Sequence, residues 1–343
     1  MTAPAGTIVC DGCGTQMAPA LLACPNCQRL VHGTRLKQLA ASADQAAQSG
    51  DLGSALAGWR DALALLPSDS RQYGVVLATI ADLSRRVEAG EGSARKRSAV
   101  GKGAAGLGAI GALLAKFKFL IVFILTKAKL LLLGLTKAST FLSMLLSAGV
   151  YFTMWGWQFA VGLVVSIYIH EMGHVQALNR YGIKATPPMF IPGFGALIRL
   201  RQYPTDARED ARVGLAGPIW GLGAALAALG VYLVTRAPIW AAIAHLGAFI
   251  NLFNLVPVWQ LDGARGFHAL SRHQRWIAAA VIAAMWAATG EGLLVLLLLA
   301  ALYAAWQGHP ADTPDRTALW QYAGLVVVLS AMTRIPVPVG TRP

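Results

Sequence analysis

Charge is what this sequence has least of. Asp, Glu, Lys and Arg make up 13% of its 343 residues, against 56% hydrophobic residues. A soluble globular chain carries about 25% charged residues, so the composition argues against an ordinary soluble protein and for a membrane protein. Acidic residues are the scarcer kind, 16 against 29 basic, giving a formal net charge of +13. That excess does not read as a nucleic-acid footprint. Most of the basic residues sit in short stretches flanking apolar runs, as membrane proteins distribute them, and no nucleic-acid partner is expected. The first residues are polar and carry no secretory-signal pattern. Cysteine is absent after position 27; the four present are Cys10, Cys13, Cys24 and Cys27.

Those four cysteines form two knuckles, "CDGC" and "CPNC", separated by ten residues within 1–33. Two C-x2-C knuckles supply four thiolates to one tetrahedral zinc. Gly12, Gly14 and Pro25 allow tight turns around the sulfurs. A segment this short has no core, so zinc would provide its folding energy, about 10–16 kcal/mol for comparable peptides. The element reads as a zinc ribbon with a structural ion, because four thiolates leave no open coordination position. Two disulfides are the rival reading.

Residues 34–89 are soluble and helical by pattern, and "ALAGWRDALALLP" resembles the second helix of a tetratricopeptide-type pair. A small helical spacer and a partner-binding module both fit it, so a protein partner for the ribbon and helical segment is one expectation. Residues 90–108 read as a Gly/Ser-rich basic linker. The apolar run at 109–137 is interrupted by Lys116, Lys118, Lys127, Lys129 and Lys137. A charge at the bilayer centre costs about 2.5–3.5 kcal/mol on insertion scales. The segment is expected to lie in the interface without crossing, its lysines reaching anionic headgroups of the bilayer.

Spanning helices are expected near 139–155, 158–178, 211–234 and 238–256, in 275–306 as a hairpin broken at Gly290-Glu291-Gly292, and near 318–333. The expected fold is an all-α polytopic membrane protein of about six to seven spans, with a catalytic membrane core at 138–272 and C-terminal membrane helices at 273–343.

One apolar run ends on "HEMGH". His170 and His174 are four apart, on one face of a helix and one turn from each other. H-E-x-x-H on a helix is a zinc-protease signature, with both imidazoles on the metal and the glutamate, Glu171, as general base. An ionisable cluster in a spanning helix is expensive and by default functional. Catalytic zinc takes a third protein ligand. The expected one is Asp262 in "NLFNLVPVWQLDGARG": Pro257 breaks the helix before it, and Gly263 is expected to let the backbone turn so that the carboxylate points inward. Glu209, Asp210 and Glu291 compete for the role. Glu209 and Asp210 lie in "DARED", which also reads as a solvated loop, and Glu291 lies in a Gly-flanked turn. His245, His268 and His273 read as packing or interface histidines.

The constellation His170-Glu171-Met172-Gly173-His174, Asn254-Leu-Val-Pro257 and Asp262-Gly263 resembles the site-2 protease family of intramembrane zinc metalloproteases, over roughly 140–270. The resemblance implies that His170, His174 and Asp262 bind a catalytic zinc and that Glu171 is the catalytic acid/base. It also implies that the Asn254 amide donates a hydrogen bond to the tetrahedral intermediate. "LAGPIWG" (215–221) resembles the family's Ala-Gly-Pro helix, with Gly217 and Gly221 as a small-xxx-small packing pair. There is no PDZ-like insertion between the two motifs.

The stretch 186–200 is broken by prolines and glycines. It reads either as a re-entrant hairpin whose free edge aligns an unwound substrate by β-addition or as a simple surface loop. Arg180, Lys184, Arg199, Arg201, Arg208 and Arg212 in one connection, and Arg265, Arg272 and Arg275 in another, are expected on the cytoplasmic side. Two intervening spans then return Asp262 to the side of the histidines, and the N-terminal domain and the active-site side are both expected in the cytoplasm. The leading expectation is hydrolysis of membrane-spanning or membrane-associated protein substrates, with one catalytic and one structural zinc. A zinc-dependent membrane transporter and a non-catalytic membrane scaffold are the alternatives. Glu171 separates the first two, since a transporter needs no base beside its metal.

Overall fold

The structure, a computed structural model, describes residues 7–99, 138–191, 195–197, 202–307 and 310–337. It divides into two compact units: Met1–Lys102 with Asn179–Lys184, and Gly103–Leu178 with Ala185–Pro343.

The first unit opens with strands β1 (Ile8–Val9) and β2 (Gln16–Met17), paired antiparallel with Ile8 opposite Met17. Cys10, Met17 and Cys24 are buried together, with Ile8 and Val31 against them. Three helices follow: α1 (Gly33–Gln48), α2 (Leu52–Leu63) and α3 (Arg71–Ala99). Asp51 starts α2 by accepting hydrogen bonds from the Ser54 backbone N–H at 3.0 Å and the Ser54 hydroxyl at 2.7 Å. Gly58 allows α1 and α2 to meet: a Cβ there would sit 3.0 Å from that of Ala43. Leu56 on α2 and Ile80 and Leu83 on α3 are buried, and the two helices pack together. The unit also takes in a distant stretch, 179–184. Arg60, buried on α2, donates from Nε to the Tyr181 carbonyl at 3.0 Å, and Lys184 Nζ meets the Asp61 carboxylate at 2.6 Å. Helix α3 runs on through Ala99, so the first part of the expected linker is helical. The rest of that linker and the interfacial segment expected at 109–137 lie outside the described residues.

Among the described residues, the second unit has one hairpin, and its other regular elements are helices. Its helices are α4 (Ala138–Trp155), α5 (Trp157–Arg180), α6 (Ala207–Thr235), α7 (Pro238–Asn254), α8 (Asp262–His268), α9 (Arg272–Thr289), α10 (Leu293–Gln307) and α11 (Arg316–Met332). The hairpin is β3 (Met189–Ile191) with β4 (Gly195–Leu197), antiparallel, Phe190 opposite Ala196. One apolar core runs from Ala211 and Leu215 on α6 through Ala244 and Leu252 on α7 to Ile282, Leu297 and Tyr322 on α9, α10 and α11, and a second gathers Tyr151 on α4, Leu163 and Tyr168 on α5, Phe190 on the hairpin and Trp220 on α6. Tyr322 ties α11 to the end of α7 by donating to the Leu255 carbonyl at 2.6 Å.

Among the described residues, α6 is the one helix both long and apolar enough to cross a membrane. Helix α5 has the length, but His170, Glu171 and His174 dilute its apolar character. Helices α7 and α10 and the stretch Thr140–Met154 are apolar but shorter. The structure corrects one local reading. "DARED" is not a solvated loop: it opens α6. Asp206 accepts from the Glu209 backbone N–H at 2.8 Å, and the Glu209 carboxylate accepts from the Thr205 N–H at 3.0 Å with only 1% of the residue exposed. Asp206 binds an orphan donor of the helix start, and Glu209 reaches back to hold the residue before the cap.

A buried ion pair joins α6 to the cap of α11. Arg212 Nη2 lies 2.9 Å from Asp315 Oδ2, with side-chain exposures of 10% and 4%, and Asp315 Oδ1 also accepts from the Ala318 N–H at 3.0 Å. Removing one member strands a buried charge. Asp315→Ala is therefore expected to lower unfolding stability by about 3–5 kcal/mol, and the double change Arg212→Leu with Asp315→Leu to recover much of the loss. Denaturant titration of the purified variants checks both.

Candidate metal centres

Helix α5 carries His170 and His174 one turn apart, and the first residue of α8 is Asp262. The structure brings the three together. His170 Nε2 lies 3.1 Å from Asp262 Oδ2, His174 Nε2 lies 3.2 Å from Asp262 Oδ1, and the two Nε2 atoms are 3.2 Å apart. All three donor atoms fall within 4.8 Å of one another. Both imidazoles are buried, and Glu171, between them in sequence, is 7% exposed.

Hydrogen bonds at the far ring nitrogens orient the donors. His174 Nδ1 faces the Val213 carbonyl at 2.8 Å. A carbonyl only accepts, so Nδ1 carries the proton and the Nε2 lone pair faces Asp262. His170 Nδ1 faces Asn251 Oδ1 at 2.8 Å. Imidazole lone pairs and a carboxylate converging in one buried place repel unless a cation lies between them. Two nitrogen donors and one oxygen donor, each imidazole held from behind, suit zinc. Asn254 Nδ2 reaches to 3.5 Å from His170 Nε2, on the donor side of the ring.

The competitors for third ligand are engaged elsewhere. Glu209 caps α6. Asp210 binds Arg265 Nε at 2.7 Å and lies 3.6 Å from His268 Nδ1. That contact pins α8, and with it Asp262, to α6. Glu291 accepts from the Leu293 N–H at the start of α10. His245 and His273 are also outside the donor cluster.

Three glycines act differently from the sequence expectation. Gly217 and Gly221 do give close packing of α6, but side chains of the centre fill the space they leave. A Cβ at Gly217 would strike His174 Nε2 and sit 2.7 Å from His170 Nε2, and one at Gly221 would strike the Asn251 amide. Gly263 makes no unusual backbone turn. It is inside α8, where a Cβ would collide with the Leu255 carbonyl. Sequence reasoning missed Asn251 and the Val213 carbonyl. Asn251 carried a signal, a polar residue in an apolar helix one turn before Asn254; a backbone carbonyl carries none.

The hairpin lies beside α5. Phe190, 3% exposed, packs against Tyr168 with ring centroids 6.4 Å apart. The Phe190 N–H donates to Ser143 Oγ at 3.1 Å, and Thr140 Oγ1 donates to the Pro188 carbonyl at 2.9 Å. Helix α4 therefore occupies the outer edge of β3.

The second centre belongs to the first unit. Cys10 and Cys27 sulfurs lie 3.6 Å apart, as do those of Cys13 and Cys24, and all four fall within 4.8 Å. Sulfurs sharing one tetrahedral zinc at 2.3 Å stand about 3.8 Å apart. All four cysteines are free, so the disulfide reading is not what the structure adopts. The knuckles are alike: the Gly14 N–H returns to the Cys10 carbonyl and the Gln28 N–H to the Cys24 carbonyl, each at 2.9 Å. Both closing residues have left-handed backbones, φ 72° and 58°. The Thr15 hydroxyl, then the Thr15 N–H, hold the Cys13 thiol down to about 6, and N–H groups of Gly12 and Cys13 lower that of Cys10. Thiolate is the form that binds metal.

Comparison with known proteins fits this geometry. Residues 158–237, covering α5 but for Trp157 and the whole of α6, match the model of Peptidase family M50. The chain is similar to "Zinc metalloprotease MJ0392" of Methanocaldococcus jannaschii, 27% identical over 143 residues, 40% of each chain. It is also similar to "Probable zinc metalloprotease EGY2, chloroplastic" of Arabidopsis thaliana, 33% identical over 72 residues, 19% of this chain and 13% of the relative. The matches thus span well under half the length of either relative. No solved structure matches. The stretch that resembles Peptidase family M50 is thus the one that bears His170, Glu171 and His174.

Proposed function

We propose that this protein is a zinc metalloprotease that hydrolyses peptide bonds of membrane-spanning or membrane-associated proteins. One observation carries the reading: His170, His174 and Asp262 converge on one buried point beside Glu171, in a chain whose histidine-bearing stretch resembles Peptidase family M50. Bound there, zinc would supply Lewis-acid polarisation of a peptide carbonyl and activation of water. Glu171 takes the proton of the attacking water on its carboxylate and delivers it to the leaving amine. The Asn254 Nδ2–H2 donates toward the oxygen that gains charge. An unwound substrate strand pairs with the hairpin along β4, because α4 occupies the edge of β3. The cysteine cluster holds a second, structural zinc, and the ribbon and helical segment are a docking site for a protein partner. The protein is multi-pass, with its N-terminal domain and active-site side in the cytoplasm. The basic residues of the 180–212 connection and of 265–275 support that orientation, as does the need of four thiolates for a reducing compartment. A transporter would give a base beside the metal no task, and a scaffold would need no convergent donor set.

Glu171→Gln should lower proteolysis about 10²–10⁴-fold while leaving zinc bound, and Asp262→Ala should lose both. Cleavage assays with elemental analysis on the same preparations check this; retained activity in Asp262→Ala would remove it as a ligand. The wild type should contain two zincs per chain. Cys24→Ser should lose one of them and unfold the ribbon around Cys10 and Met17, with the metal at His170 and His174 retained; limited proteolysis and metal counts are the measurements. Ser98→Cys should resist a membrane-impermeant thiol reagent applied to intact cells. Labelling from outside would overturn the orientation.

A further inference from the structure

Asn251 sits on α7, 2% exposed, in a helix whose sequence "PIWAAIAHLGAFINLFN" is almost wholly apolar. A buried amide in such a helix is costly unless both its ends are bonded. Both are. Nδ2 lies 2.7 Å from the Gly247 carbonyl, one turn back in the same helix, and Oδ1 lies 2.8 Å from His170 Nδ1. The first bond decides the second. A backbone carbonyl only accepts, so the amide must present NH2 to Gly247 and its oxygen to His170. That oxygen also only accepts, so His170 Nδ1 must carry the ring proton. The Nε2 lone pair is then free on the side facing Asp262. Helix α6 is shaped to the same end. Gly221 leaves the volume the amide occupies, as Gly217 one turn earlier leaves that of the imidazoles.

We propose that Asn251 is a positioning residue for metal binding: anchored by the Gly247 carbonyl and accommodated by Gly221, it fixes the tautomer and ring angle of His170. The proposal rests on the zinc-protease reading of the His170–His174–Asp262 centre. It assigns Asn251 a role separate from that of Asn254, which lies on the other side of the same ring. Groups behind a ligating histidine typically change metal affinity 10–100-fold when removed.

The test is zinc affinity of the purified full chain, measured by competition with a graded series of chelators. His174→Ala identifies which of the two zincs belongs to the histidine centre. Asn251→Leu, similar in size but unable to accept, is expected to weaken that zinc about 10–100-fold. Gly221→Ala, which displaces the amide, is expected to weaken it similarly. Asn251→Asp presents an oxygen to His170 whichever way the group turns, which makes the Gly247 anchor unnecessary, and its acidity strengthens the hold on the ring proton, so its zinc affinity should stay within tenfold of that of the wild type. Wild-type affinity in a folded Asn251→Leu would overturn the proposal and leave the protease reading standing. A wild type with no zinc at the histidine centre would overturn both. If Asn251→Leu fails to fold, Asn251→Asp decides: affinity within tenfold of wild type supports the acceptor role, and a loss of tenfold or more overturns it.

Discussion

Everything where His170, His174 and Asp262 meet depends on how closely α6 approaches α5. Gly173 on α5 faces the Ala216 carbonyl of α6, and a Cβ there would strike it. One residue further along α6, Gly217 leaves the volume into which both imidazoles reach. In an apolar surround, helices gain little from burying apolar side chains against each other, and small residues that admit close backbone contact drive their association. That contact puts the Val213 carbonyl within 2.8 Å of His174 Nδ1. The packing that joins the helices therefore also sets a histidine tautomer. Stability and metal readiness share the same glycines, so a methyl group added there disturbs both.

Asp262 reaches the centre by a second, separable set of constraints. Helix α7 ends at Asn254, the chain turns through Val256–Leu261, and α8 begins at Asp262 itself. The start of α8 presses on the Leu255 carbonyl through Gly263, and Arg265 holds it to Asp210 at the start of α6. A carboxylate in the first turn of a helix is also favoured by the positive end of the helix dipole. Asp262 is thus placed by backbone contact at one side and a charge pair at the other.

What the sequence revealed followed the range of the interactions. The H-E-x-x-H helix and the two cysteine knuckles are local. Spacing along one chain segment determines which donors share a face or a turn, and the structure assembles His170, His174 and the four cysteines accordingly. Asp262 was legible because a helix stop and a ligand-type residue follow an apolar run within a few positions. Asn251 was not singled out, since Asn254, three residues on, carried the motif and nothing local says which ring nitrogen each amide meets. "DARED" misled through its composition, although Asp206-x-x-Glu209 is itself a helix-start pattern. The recruitment of 179–184 into the first unit spans more than a hundred residues in sequence, and no local pattern announces a contact of that kind.

The scarcity of charge gives the remaining charges double duty. Arg212 and Arg265, counted toward the orientation of the chain, each bind an aspartate that organises a helix start: Asp315 caps α11, and Asp210 lies in the first turn of α6. The orientation rule counts basic residues and not net charge, so pairing leaves that signal in place. An arginine held this way keeps its charge at one end of the helices and spends its hydrogen bonds on fixing them to each other. The acids gain in turn, because an unpaired buried carboxylate would be costly in so apolar a chain. The few charged residues that composition allows are thus placed where one pair begins a helix and locks it to its neighbour.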